Sequence, residues 1–129
     1  MRNMSFKITV DQARAKTKDV TRRQAWAHLV KPWDLVQQIV KGQGLKKGEK
    51  VEKIHVIRII SVEPEPIIDI VYRPFRDGQW EVEREGFPEW IGQESRFVDM
   101  YCAANKCWPA DPCNRIEFEY VENNAGLKP

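Results

Sequence analysis

From Met4 to Val10 apolar and polar residues alternate, with Met4, Phe6, Ile8 and Val10 on one side. That period of two predicts a half-buried strand. Asp11 then offers an N-cap for a short helix through Gln12-Ala13-Arg14-Ala15. The basic stretch Lys16 to Arg23, read as a strand after a turn, follows. Gln24 to Leu29 predicts one or two helical turns, stopped by Lys31-Pro32. Asp34 to Val40 is apolar enough for a strand. Gly42 and Gly44 punctuate a loop whose solvated tip is Lys46 to Lys50. Val51 to Val62 is dense in β-branched residues and is the clearest strand, with Pro64 and Pro66 expected to end it. Ile67 to Tyr72 fits either a short helix or a strand. Arg76-Asp77-Gly78-Gln79 is a turn, and Trp80 to Glu85 is open between types. Pro88 to Lys106 reads as a helix interrupted near Gly92 and Gln93, with Trp90, Phe97, Met100, Tyr101 and Ala104 on its apolar face. Pro109 and Pro112 precede a last alternating strand, Arg115 to Val121. Asn123 to Pro129 reads as a frayed tail.

Several strands with short helices between them, and no internal repeat, predict an α+β fold. The expected form is a small mixed β-barrel, partly closed and flanked by short helices, as one domain over residues 1–129. A chain of 129 residues is long enough for a single modest core.

Composition narrows the function. Hydrophobic residues make up 42% and charged residues 31%, as in an ordinary globular protein with a rather charged surface. No apolar run approaches the roughly 20 residues that cross a bilayer, so no membrane role is expected. Lys7 interrupts the only short apolar stretch near the N-terminus, and the expected location is cytoplasmic. Cys102, Cys107 and Cys113 are odd in number and lack the paired spacing of a zinc site, so buried or half-buried thiols are expected, with no metal and no cofactor. Net charge is +2 but unevenly spread. Residues 1–60 carry 14 Lys and Arg against 5 Asp and Glu, whereas residues 61–129 carry 7 against 14. A basic face able to meet phosphates fits this asymmetry. Nothing in the sequence sets an oligomeric state.

The segment Lys16-Thr17-Lys18-Asp19-Val20-Thr21-Arg22-Arg23 concentrates cations and hydroxyls. On a strand Thr21 and Arg23 share one face, while Val20 and Arg22 share the other. Lys18 has the wrong parity to join Thr21 directly, so its stem must bend back from the preceding turn. An ammonium, a hydroxyl and a guanidinium in one cavity suit a phosphate, a carboxylate or a polarised carbonyl. The plain alternative is an exposed basic edge strand.

Lys18-x-x-Thr21-x-Arg23 resembles the signature of the ASCH family, relatives of the PUA-like RNA-binding domains. That signature reads Gly-x-Lys-x-x-Thr-x-Arg, and Lys16 stands here at the glycine position. Lys31-Pro32-Trp33-Asp34 is similar to the family's Pro-Gly-Asp, with Trp33 in place of glycine. The stretch Gly42 to Lys50 and the run Arg84-Glu85-Gly86-Phe87 also resemble segments of small bacterial and phage ASCH proteins. The resemblance spans Met4 to Val121.

It implies a PUA-like fold and a cleft that binds RNA or a modified nucleoside. One group of relatives hydrolyses the acetyl amide of acetylcytidine. By that resemblance the catalytic roles fall on Lys18 as base, Thr21 as nucleophile and Glu85 as acid or orienting group. Arg22 and Arg23 would bind substrate, with Trp26 and Trp33 at the rim as surfaces for unstacked bases. The expected function is therefore RNA or modified-nucleoside binding through a basic cleft. The alternatives are an amidohydrolase on acetylated cytidine, a ribonuclease, or a protein-interaction module. Trp90 and Trp108 are expected to pack, and Glu83 and Glu89 lie close enough to Glu85 to compete for its place.

Overall fold

A computed structural model of the chain describes residues 1–121, so the tail expected at residues 123–129 lies outside the described residues. In order come β1 (Arg2–Ser5), α1 (Val10–Arg14), β2 (Val20–Arg23), β3 (Leu35–Ile39), β4 (Lys53–Pro66), α2 (Asp69–Tyr72), β5 (Phe75–Arg76), β6 (Gln79–Trp80), α3 (Glu81–Arg84), a 3-10 turn (Pro88–Trp90), α4 (Glu94–Asn105) and β7 (Pro112–Tyr120). Five strands form one sheet in the order β1-β3-β4-β7-β2. β1 runs parallel to β3 and the other pairs are antiparallel. The sheet curls into a half-barrel with short helices around it, the α+β arrangement expected from the sequence.

Period-two alternation along β7 separates two cores. Ile116 and Phe118 join Met4, Phe6, Ile57 and Ile59 on one face, and Phe6 meets Phe118 edge-on at 5.9 Å. Cys113, of opposite parity, joins Ile67, Val82, Phe97, Val98 and Tyr101 beneath the helices. The second face also carries charge. Arg22 lies opposite Arg115, and Arg115 lies opposite Glu63, so these side chains and Glu65 share one side of the sheet.

Several boundaries differ from expectation, and the last strand starts at Pro112 rather than Arg115, paired there with Pro66. Pro64 and Pro66 do not end β4, which continues in register with Asn114 and Pro112. Past Ile59 the strand has a neighbour on one side only, so the missing proline N–H groups can face the open edge. The helix at Gln24 to Leu29 does not develop. Trp26 adopts φ 88°, and its carbonyl closes a single turn with Leu29 and Val30. The strand expected from Met4 to Val10 ends at Ser5, and the first helix starts at Val10 after Thr9 rather than behind Asp11.

The turn Asp77-Gly78 joins β5 to β6 with φ 50° and 78°, the geometry that favours Asp-Gly in tight hairpins. Glu94–Asn105 is the continuous helix. Gly92 and Gln93 separate it from the 3-10 turn, as the pattern suggests.

Candidate functional site

Glu85 sits at the end of α3, where four backbone carbonyls lack helical partners. Gly86, at φ 103°, turns the chain. Its N–H bonds to Glu83, and Phe87 N–H bonds back to Val82 at 2.8 Å. This is a Schellman motif, with Val82 and Phe87 supplying its hydrophobic contact in the second core. A Cβ on Gly86 would lie 2.8 Å from Gln12 Cγ, so glycine is required here for space as well as for φ.

The segment before β2 caps this helix end. Asp19 N–H bonds to the Arg84 carbonyl at 2.9 Å, and the Asp19 carboxylate accepts two hydrogen bonds from Arg84. Lys18 bends back and buries its ammonium, which donates to the Glu85 carbonyl at 2.8 Å and to Glu85 Oε1 at 2.7 Å. One cation thus satisfies an orphan carbonyl and a buried carboxylate together.

The second Glu85 oxygen accepts from Arg22 at 2.7 Å. Arg22 also donates to Glu81 at 2.6 Å and to Glu65 at 3.2 Å. Arg115 binds Glu81 through two bonds, and Arg76 reaches Glu65. These charges are buried as a network. Burial alone would pull Arg22 down, but Glu85, Glu81 and Glu65 outweigh it and raise its pKa. Burial works against the Glu81 carboxylate too, yet hydrogen bonds and charge from Arg115 and Arg22 hold it down at about 2. For Lys18 burial dominates. The pKa falls below the ordinary lysine value although Glu85 opposes the shift.

Thr21 and Arg23 lie on the other face of β2, as their parity requires. Arg23 Nε donates to Thr21 Oγ1 at 3.0 Å, and the guanidinium stacks on Phe6 at 4.9 Å. Burial pulls Arg23 down to about 10, against a smaller upward pull from Glu85, so it is charged at neutral pH. Among the described residues it forms no ion pair, with Asp34 or any other carboxylate.

Lys18, Thr21, Arg22, Arg23 and Glu85 all border one cavity of about 260 Å³. Its apolar wall comes from Phe6, Phe87, Phe97, Met100 and Tyr101. Five of the residues singled out in the sequence therefore come together around one space. Trp26 and Trp33 do not reach its walls. Trp26 packs against the first core and Trp33 is 76% exposed. Trp90 stacks on Phe87 at 4.4 Å, while Trp108, expected to pack, is 77% exposed. Glu83 and Glu89 are exposed and leave the place to Glu85. The cysteines are free thiols, Cys113 buried and the other two half-buried.

Sequence reasoning missed Glu65 and Glu81, which hold Arg22, and Arg115, which shares Glu81 with it. It did not assign the aromatic wall to the site, although Phe6 in the first alternation and Phe97, Met100 and Tyr101 on one helix face are its early signs.

Lys16 and Trp33, the two residues at glycine positions of the ASCH pattern, both adopt the left-handed backbone, with φ 59° and 77°. Lys31-Pro32-Trp33-Asp34 is a turn closed by Asp34 N–H on the Lys31 carbonyl. Proline followed by a positive φ is the type II arrangement, which favours glycine in the position Trp33 holds.

Among the described residues no group of three or more His, Cys, Asp or Glu side chains could hold a metal ion, and no helix is long and apolar enough to cross a membrane. Neither a family model nor a curated protein sequence matches the chain. The chain is similar to the crystal structure of an Enterococcus faecalis protein described under the family name DUF984. Identity is 16% and the TM-score 0.54, over 93% of this chain and 75% of that one. At that identity the likeness is one of fold. An ASCH domain from Lactobacillus crispatus aligns at 14% identity and a TM-score of 0.48, over 92% of this chain and 78% of that one.

Proposed function

We propose that the cleft binds one nucleoside-sized molecule, either a modified nucleoside or a nucleotide unstacked from RNA. The observation that carries this reading is a set of free donors facing an aromatic wall in about 260 Å³. Lys18 donates two hydrogen bonds to Glu85 and retains a third N–H. Thr21 Oγ1 accepts from Arg23, which leaves its own O–H to donate. The terminal amines of Arg23 have no partner among the described residues. A base edge or acyl group rich in acceptors meets these donors, and its ring meets Phe6, Phe87 and Phe97. The volume lies just below the roughly 300–1,000 Å³ of drug-sized pockets, enough for one nucleoside and too little for a strand.

Two further observations support the reading. The Lys-x-x-Thr-x-Arg motif stands around the cavity, and the left-handed backbone at Lys16 and Trp33 matches the glycine positions of the ASCH pattern. A buried ion network also gains little stability over apolar side chains of equal volume, so its presence at a cavity wall suits a binding site better than a scaffold.

The test is calorimetric titration with the four ribonucleosides and acetylcytidine, repeated with Thr21→Val and Lys18→Met. Saturable binding by the wild type that either variant loses supports the reading. Equal binding by the variants overturns it. A steep salt dependence with single-stranded RNA would extend the ligand to RNA.

A second reading is favoured by the depressed pKa of Lys18. A lysine that burial makes easier to deprotonate can take the Thr21 proton as the hydroxyl attacks an acyl carbon. The amide C–N bond then breaks, the amine leaves with a proton, and water releases the acyl group from Thr21. On this reading Glu85 orients Lys18, its 2.7 Å partner. Incubation with acetylcytidine, followed by chromatography, tests it. Acetyl loss with the wild type and none with Thr21→Ala is the expected result, and equal loss with both would overturn it.

A further inference from the structure

Among the described residues, the buried and half-buried charged side chains of the cleft and its network are matched to one another, with one exception; Lys7, also at the cavity, is exposed to solvent. Lys18 and Arg22 share Glu85, Arg115 has Glu81, Arg76 has Glu65, and Arg84 has Asp19 and Glu117. Arg23 borders the same cavity, is half-buried, and forms no ion pair among the described residues. A guanidinium drawn out of water without a counter-charge is unfavourable, and stacking on Phe6 compensates it only in part.

Tyr101, on α4, lines the same cavity and is 5% exposed. Its hydroxyl is fully enclosed and has no hydrogen-bond partner among the described residues. A buried hydroxyl without a partner is rare and unfavourable. Arg23 and Glu85 line the same cavity. Two defects of the same sign, an unmatched cation and an unused donor, therefore sit on neighbouring parts of one wall. A single ligand group corrects both: an oxyanion.

We infer that Arg23 and Tyr101 form an oxyanion subsite, so that the cleft takes a phosphate-bearing nucleotide in preference to the neutral nucleoside. This rests on the nucleoside reading above and adds the charge of its ligand. Arg23 supplies the charge and a fork of donors, and Tyr101, a lining residue of the cavity, supplies an enclosed hydroxyl with no other partner among the described residues. Thr21, fixed by Arg23 Nε, sits beside the subsite and can address the sugar or base. The phosphate belongs either to a free nucleotide or to the backbone of an RNA nucleotide turned into the cleft.

Calorimetric titration of the full chain with inorganic phosphate, cytidine, cytidine 5′-monophosphate and the other ribonucleosides and monophosphates tests this. A short single-stranded RNA separates the two phosphate sources. The expected result is monophosphate binding at least tenfold tighter than its nucleoside, with the difference lost in Tyr101→Phe and Arg23→Gln. Thermal melting of each variant alone shows that it is folded, and Tyr101→Phe, which removes only an oxygen, is the safeguard if Arg23→Gln is not.

Equal affinity for nucleoside and monophosphate would overturn the oxyanion subsite and leave the nucleoside reading standing. Binding of phosphate alone, with nucleotides no tighter, would support the subsite and overturn the nucleoside reading. No binding of any of them overturns both.

Discussion

Lys18 and Glu85, 67 positions apart in the chain, meet at 2.7 Å with both side chains buried. The pair is held on each side. Lys18 also takes the Glu85 carbonyl left open by the end of α3, and Arg22 takes the second carboxylate oxygen. Removing one member strands the others in a medium that solvates them poorly.

Glu85→Ala should therefore lower stability by about 3–5 kcal/mol, because Lys18 loses its carboxylate and Arg22 one of three. The double variant Lys18→Met, Glu85→Gln should recover a large part of that loss, since it removes the buried ammonium with the buried charge. Urea unfolding of both variants checks this. Ligand binding should be absent in both, which separates the pair's part in the fold from its part in the site.

Acid should reach the network through Glu81. Its folded pKa of about 2 lies below the ordinary glutamate value of 4.5, because Arg115 and Arg22 outweigh the effect of burial. A carboxylate with a depressed pKa adds stability above its unfolded value and loses that stability as pH falls through the folded one. Unfolding free energy should thus be insensitive to Glu81 near neutral pH and should decline between about pH 4.5 and 2. In Glu81→Gln that part of the decline should vanish from a series of urea titrations against pH, on a protein already weakened by the loss of the charge.

Backbone strain gives a third expectation. Lys16 and Trp33 hold φ values that side chains disfavour by about 1–2 kcal/mol. Glycine relieves this but is freer in the unfolded chain. Lys16→Gly and Trp33→Gly should each be neutral or stabilising by up to about 1 kcal/mol in thermal unfolding. Gly86→Ala should do the opposite. It combines φ 103° with a 2.8 Å approach to Gln12, and should lower stability by about 1–3 kcal/mol.

Tyr101→Phe should leave the ligand-free protein as stable as the wild type, or more stable by up to about 1 kcal/mol, because the deleted hydroxyl has no partner. Most buried tyrosine hydroxyls make the opposite prediction. A melting temperature that rises or holds while ligand affinity falls would mark Tyr101 as a residue kept for binding.

Much of this was legible in the chain, and for identifiable reasons. Parity alone put Thr21 with Arg23 and apart from Arg22, and the structure keeps that division. Lys18 had to bend back because its parity was wrong, and it does so onto the end of α3. The Arg84-Glu85-Gly86-Phe87 run becomes a helix stop whose glycine and phenylalanine have separate tasks.

What escaped was long-range. No local signal says that Glu65, set between two prolines, stays inside a strand and reaches Arg22. Pro64 and Pro66 looked like a stop because an open strand edge cannot be foreseen from composition. Trp26 and Trp33 looked like base platforms because they flank the cations. In the fold one packs on the core and the other stands in solvent, and the aromatic wall comes from Phe6, Phe87 and Phe97 on three separate segments.

Ligand binding at this cleft is tested most directly by a backbone amide NMR titration of the protein with ribonucleosides, acetylcytidine and their monophosphates. Saturable shifts are expected, confined to Lys18 through Arg23, Arg84 through Phe87, and the face of α4 around Phe97 and Tyr101. No shifts at millimolar ligand, or shifts centred on the exposed lysines between Lys41 and Lys53, would contradict it.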